Sequence, residues 1–241
     1  MDDSAHFREH GWVALREAIP PERAAGLARE LDRVFPESRL AADRVHERVG
    51  ISALSPLLAG QVRDAVVAGR VAAICGWPRA QLLQDTALVK PPRSPARVEW
   101  HQDHTYTGYL SECVSVRIAL TDCTLRSGCL RVIDRSHRWG FLGELRALRA
   151  REVSDDSDQL PEGWREQVVA VELRAGDASV HHCLTFHSSE ENRSEAPRMT
   201  LIARMFDALL RLQPDKLPPG LRVHFPTDAE GRLTGAAFPL L

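Results

Sequence analysis

The chain has 241 residues, 44% of them hydrophobic and 27% charged, with a formal net charge of -2. That balance suits one large domain with a buried core. No apolar run approaches the ~18 residues that span a bilayer, and the basic residues are scattered rather than striped, which argues against membrane and nucleic-acid partners.

The amino terminus, Met1-Asp2-Asp3-Ser4, lacks the basic start and apolar stretch of a secretory signal. The five cysteines (Cys75, Cys113, Cys123, Cys129 and Cys183) form no Cys-x-x-Cys pair. The expectation is a cytoplasmic protein with reduced thiols, its oligomeric state unread.

In chain order, Pro20-Pro21 predicts a helix start, with Leu27, Leu31 and Val34 or Phe35 recurring on one face. A second helix is expected over 57–74, with Val62, Val66, Val67 and Val71 as its apolar side, stopped by Gly76-Trp77-Pro78. These helices carry no metal-binding cluster, so their expected role is to cover a sheet.

From about residue 82 the pattern changes to short runs between turns. Val114, Val116, Ile118 and Leu120 alternate with Ser115, Arg117, Ala119 and Thr121, the mark of a strand with two different faces. Further strands are expected over 82–90, 128–133, 168–173, 178–182, 199–206 and 221–225. A helical insert is expected over 141–151, and a solvated loop over 154–163. Many short strands without intervening helices predict an antiparallel sandwich or barrel. No repeat or boundary divides the chain. The reading is one domain over 1–241, in which 1–80 is a mainly helical cover and 81–241 the β core, with an insert at about 141–165.

Trp100-His101-Gln102-Asp103 presents an imidazole and a carboxylate two residues apart, which on a strand would share one face. Gly176-Asp177 then makes a turn, and an extended segment leads to His187. Two imidazoles and one carboxylate on one face of an octahedron are the set used by oxygen-activating iron(II). Taken alone, His-x-Asp is a weak signal that arises by chance.

The order of motifs is far more specific. His101-Gln102-Asp103, Ser127-Gly128-Cys129-Leu130, Arg135-Ser136-His137-Arg138, Gly176-Asp177, and His187 with Asn192-Arg193-Ser194 and Arg198 resemble the phytanoyl-CoA dioxygenase family. Upstream, Phe7-Arg8-Glu9-His10-Gly11-Trp12-Val13 and Val89-Lys90-Pro91-Pro92 are similar to its pattern as well. The resemblance implies a mainly β fold with flanking helices around a double-stranded β-helix, a cupin-like jelly-roll. It implies Fe(II), O2 and 2-oxoglutarate as cofactors, and a small-molecule substrate hydroxylated at an unactivated C–H bond with release of succinate and CO2. Desaturation, cyclisation and epimerisation are alternative outcomes of the same chemistry.

Carried over by motif, His101, Asp103 and His187 match the metal ligands. Arg198 matches the arginine that holds the distal carboxylate of 2-oxoglutarate, and Ser189 a hydroxyl that assists it. Thr86 matches another position near the co-substrate, or is a plain strand residue. Relatives that chlorinate lack the carboxylate that Asp103 retains. Two departures stand out: Asp134-Arg135 replaces a Pro-Gly turn, altering a loop more than the metal site, and Arg117 stands where relatives often have an aromatic residue. Arg117 then meets the co-substrate, an anionic substrate, or a salt-bridge partner at the barrel rim.

His104, Tyr106 and Tyr109 follow the metal motif and either line the substrate cavity or simply pack. Arg204 shares strand parity with Arg198 and is a candidate substrate contact. His181 offers a rival third ligand, set behind His187, and His137 reads as structural. A non-catalytic jelly-roll binding protein would form no succinate, and a cupin-type isomerase with another metal would work without oxygen.

Overall fold

The computed structural model describes residues 2–36, 40–104, 112–142, 160–212 and 225–241. Helix α1 (Asp3–His10) is capped by Asp2, whose Oδ1 accepts from the Ser4 and Ala5 N–H groups at 2.7 and 2.9 Å. Of its residues only Phe7 is buried, so it carries no apolar periodicity from which a helix is expected. Strand β1 (Trp12–Leu15) follows, then α2 (Pro21–Val34), which begins on its proline and buries Ala24, Leu27 and Leu31.

The single helix expected over 57–74 is two helices, α3 (Pro56–Val62) and α4 (Ala65–Cys75). The break is local chemistry. Asp64 accepts from the Val66 and Val67 N–H groups at 3.0 and 3.1 Å and so starts a new helix. That turns Val66 outward, 71% exposed, while Val62, Val67 and Val71 stay buried.

Strand β2 (His46–Val49) precedes α3. After the helices come β3 (Ala80–Lys90), β4 (Val98–His101), β5 (Val114–Ala119), β6 (Leu130–Ile133), β7 (Val168–Val171), β8 (Ala178–His182), β9 (His187–Ser189) and β10 (Arg198–Asp207). They form two antiparallel sheets, ordered β1-β8-β5-β10-β3-β2 and β4-β9-β6-β7. This is the jelly-roll core. Strands β1 and β2 occupy opposite edges of the larger sheet, so the first 80 residues supply strands as well as a helical cover.

The period-2 pattern decides what each face meets. Val114, Val116 and Ile118 of β5 and Met199, Leu201, Ala203 and Met205 of β10 join one buried apolar cluster with Leu27 and Leu31 of α2, Leu58 of α3 and Val71 of α4. The alternate residues turn the other way: Ser115, Arg117, Ile202 and Arg204 line a cavity that Leu130, His187 and Ser189 of the smaller sheet also line. The helices thus seal one face, and polar chemistry collects on the other.

The helix expected over 141–151, most of the loop over 154–163 and the strand over 221–225 fall largely outside the described residues. Among the described residues, no helix is long and apolar enough to cross a membrane.

Candidate metal centre

His101 ends β4 and lies directly opposite His187, the first residue of β9. Asp103 is not on the strand with His101, as the two-residue spacing suggested; it sits in a turn beyond β4. Gln102 is the cause. Its buried amide donates to the Gly140 and Leu184 carbonyls at 2.8 and 2.7 Å and accepts from the Leu142 N–H at 3.1 Å, drawing the chain out of the sheet.

The turn still brings the carboxylate to the imidazoles. One donor atom from each of His101, Asp103 and His187 lies within 4.8 Å of the others. Asp103 Oδ1 is 4.0 Å from His101 Nε2 and 3.9 Å from His187 Nε2. Nδ1 of His101 is bonded to the Glu99 carbonyl at 2.8 Å, and Nδ1 of His187 to the Thr185 carbonyl at 3.0 Å. A carbonyl only accepts, so each Nδ1 carries the proton and each Nε2 presents its lone pair toward the centre.

Protonation states suit a cation. Burial, with His101 and His181 close by, holds the His187 imidazole well below its usual range and therefore neutral. Burial opposes charge on Asp103 too. The Arg204 guanidinium, with the His181 ring at hydrogen-bond distance, outweighs it and holds the carboxyl well below the usual carboxylate range.

The cavity above this centre has a volume of about 690 Å³ and is lined by Glu47, Gln84, Arg97, Arg117 and Ser189, among others. Arg117 has no hydrogen bond or ion pair among the described residues; burial and then Arg198 bring its pKa down to about 10. Arg198 is buried. Its Nη1 donates to the Gly128 carbonyl, while Nε and Nη2 have no partner among the described residues. Thr86 Oγ1 on the same inward face is likewise without a partner. Ser189 Oγ accepts from Lys90 Nζ at 3.0 Å. Buried donors left open in this way fit a dicarboxylate, as the two imidazoles and the carboxylate fit a ferrous ion.

Of the remaining expected residues, Arg204 lines the cavity. His104 packs its ring on Phe141 at 4.8 Å, with Nδ1 4.0 Å from Cys183 Sγ. Tyr106 and Tyr109 lie outside the described residues. His181 is bonded to Asp103 and is not one of the three converging donors. Arg204 reaches Asp103 Oδ1 at 3.2 Å. Ser115, Gln84, Gln102 and Lys90 were not singled out in the sequence. Ser115 shares the parity of Arg117, and Gln102 and Lys90 sit inside the motifs given above, so a signal existed for these three.

A family model described as phytanoyl-CoA dioxygenase matches residues 7–200. The chain belongs to this family. Phytanoyl-CoA dioxygenase 1 of Oryza sativa subsp. japonica is 31% identical over 138 residues, covering 54% of this chain and 46% of that protein. The match therefore spans about half the length of that relative. The ectoine dioxygenase of Streptomyces coelicolor is 26% identical over 214 residues, 78% of this chain and 71% of its own. Among solved structures, the non-heme alpha-ketoglutarate-dependent carbocyclase SnoK from nogalamycin biosynthesis superposes with a TM-score of 0.75 at 25% identity, over 99% of this chain and 95% of that one.

Proposed function

We propose that the chain, as one domain over 1–241, is a cytoplasmic Fe(II)- and 2-oxoglutarate-dependent dioxygenase. It oxidises an unactivated C–H bond of a small metabolite, releasing succinate and CO2, with hydroxylation as the default outcome. The observation that carries this reading is the meeting of two Nδ1-anchored imidazoles with a carboxylate at the floor of a cavity. Family membership supports it.

His101, Asp103 and His187 would hold the iron, which when bound supplies the activation of dioxygen. Arg198 offers Nε and Nη2 to the distal carboxylate of the co-substrate, a fork suited to two charge-assisted hydrogen bonds. Thr86 and Ser189 add hydroxyls beside it, and Arg117 adds a second guanidinium from the adjacent strand β5. The substrate would enter over Glu47 and Arg97 at the β2 side of the cavity.

Anaerobic titration with iron(II) and 2-oxoglutarate tests the reading. A weak visible charge-transfer band should develop in the wild type and be lost in Asp103→Ala. Unchanged turnover in Asp103→Ala would remove the ligand assignment. Product analysis over a panel of substrates separates hydroxylation from desaturation, cyclisation and epimerisation.

A further inference from the structure

One row of inward-facing side chains crosses four strands of the larger sheet. Gln84 of β3 is opposite Arg204 of β10, Arg204 is opposite Ser115 of β5, and Ser115 is opposite His181 of β8. Three of the four converge on a single carboxylate. Ser115 Oγ donates to Asp103 Oδ2 at 2.5 Å, His181 Nε2 lies 3.3 Å from the same oxygen, and Arg204 Nη2 donates to Oδ1 at 3.2 Å. The fourth, Gln84, accepts from Arg204 Nη1 and fixes the guanidinium in turn.

The two oxygens of Asp103 are thereby made unequal. Oδ2 is taken up by a hydroxyl and an imidazole, both buried. Oδ1, which accepts only from Arg204 in this row, is the oxygen that lies 4.0 and 3.9 Å from the two ligand imidazoles. An octahedral ion with two imidazoles and one carboxylate oxygen keeps three positions open, enough for a chelating keto acid and dioxygen. Were both Asp103 oxygens bound, only two positions would remain.

We propose that the row Gln84–Arg204–Ser115–His181 is a positioning device that restricts Asp103 to ligation through Oδ1, with Arg204 serving the metal ligand rather than the substrate. The inference rests on the iron-binding reading above. Partners that orient a metal ligand without touching the metal set its affinity, and losing one weakens binding by about 10- to 100-fold. A substrate-binding arginine would leave metal affinity unchanged when no substrate is present.

The test uses the full chain and cobalt(II), titrated without co-substrate or substrate. Ser115→Ala and Arg204→Gln should each bind cobalt about tenfold or more weakly than the wild type. Ser115→Thr keeps the hydroxyl and should bind as the wild type does; circular dichroism checks that each variant is folded. A crystal structure of the cobalt-loaded protein should show one short and one long Asp103 oxygen distance. Wild-type cobalt affinity in both Ser115→Ala and Arg204→Gln, or two short Asp103 oxygen distances, would overturn this inference alone. No cobalt or iron uptake by the wild type would remove the oxygenase reading and the inference together.

Discussion

Lys90 and Arg198 stand directly opposite each other across the β3–β10 ladder, and both are buried. A buried guanidinium held against a buried lysine is unfavourable unless an anion lies beside it. Arg198 spends one nitrogen on the Gly128 carbonyl and keeps two without partners among the described residues. The co-substrate's distal carboxylate is the anion this arrangement suits. In cobalt-loaded protein, Arg198→Met should weaken 2-oxoglutarate binding by about 100-fold, roughly 3 kcal/mol for a charge-assisted fork. Cobalt affinity itself should hold. Equal co-substrate affinity in the variant and the wild type, read by calorimetry, would show that Arg198 holds something else.

Lys90 has a consequence of its own for pH. Burial first, then Arg198 and Arg117, push its pKa down from 10.5 to about 6. A lysine whose folded value is depressed binds fewer protons when folded than when unfolded between those two values. Stability therefore rises with pH from about 6 to 10.5, by at most about 1.4 kcal/mol per pH unit. Lys90→Met lacks that component. Urea midpoints of the metal-free protein at pH 6.5 and 8.5 should rise with pH more in the wild type than in Lys90→Met. The same slope in both would mean that Lys90 keeps its proton in the fold.

The difference between what the residues announce and what they conceal is physical. Alternation over 114–121 was legible because each face of β5 has one job, apolar toward the helices and polar toward the cavity. The ligand types in His101, Asp103 and His187 were legible because metal chemistry restricts them. The geometry of Asp103 was not, since it depends on Gln102 finding two carbonyls in loops far along the chain. The role of Arg204 was equally hidden: strand parity gives the face a side chain points to, but not the partner it meets. Helix α1 and the break between α3 and α4 turn on single capping aspartates, Asp2 and Asp64, which a reading of apolar periodicity passes over.

The Asp134-Arg135 departure from the family's Pro-Gly turn has visible partners. Asp134 Oδ1 accepts from Trp12 Nε1 at 2.9 Å and lies 2.8 Å from His10 Nδ1, tying the end of α1 and the start of β1 to the turn. Arg135 takes up a φ of 61°, the left-handed region that favours glycine. The two residues therefore predict opposite signs. Asp134→Ala should destabilise by about 1–2 kcal/mol through two lost hydrogen bonds, and Arg135→Gly should stabilise by about 0.5–1 kcal/mol. Cobalt affinity should stay unchanged in both. Thermal unfolding decides the signs, and a loss of metal affinity in Asp134→Ala would mean the turn reaches the centre after all.

Gly128 joins stability to co-substrate binding. Its φ is 70°, and a Cβ there would run into the Glu190 and Glu191 carbonyl oxygens at the exit of β9. Backbone on both sides leaves no flexible group to yield. The Glu190 carbonyl also accepts from Lys90 Nζ, and the Gly128 carbonyl accepts from Arg198 Nη1. An added methyl must therefore shift either the anchor of Lys90 or that of Arg198. Gly128→Ala should cost about 2 kcal/mol or more of stability, from left-handed strain and overpacking. It should also weaken 2-oxoglutarate binding in cobalt-loaded protein while cobalt uptake persists, because the groups a Cβ would displace anchor Lys90 and Arg198. Thermal unfolding and calorimetry on one preparation separate the two effects. A variant that loses stability yet binds 2-oxoglutarate normally would show that Arg198 finds its position without the Gly128 carbonyl.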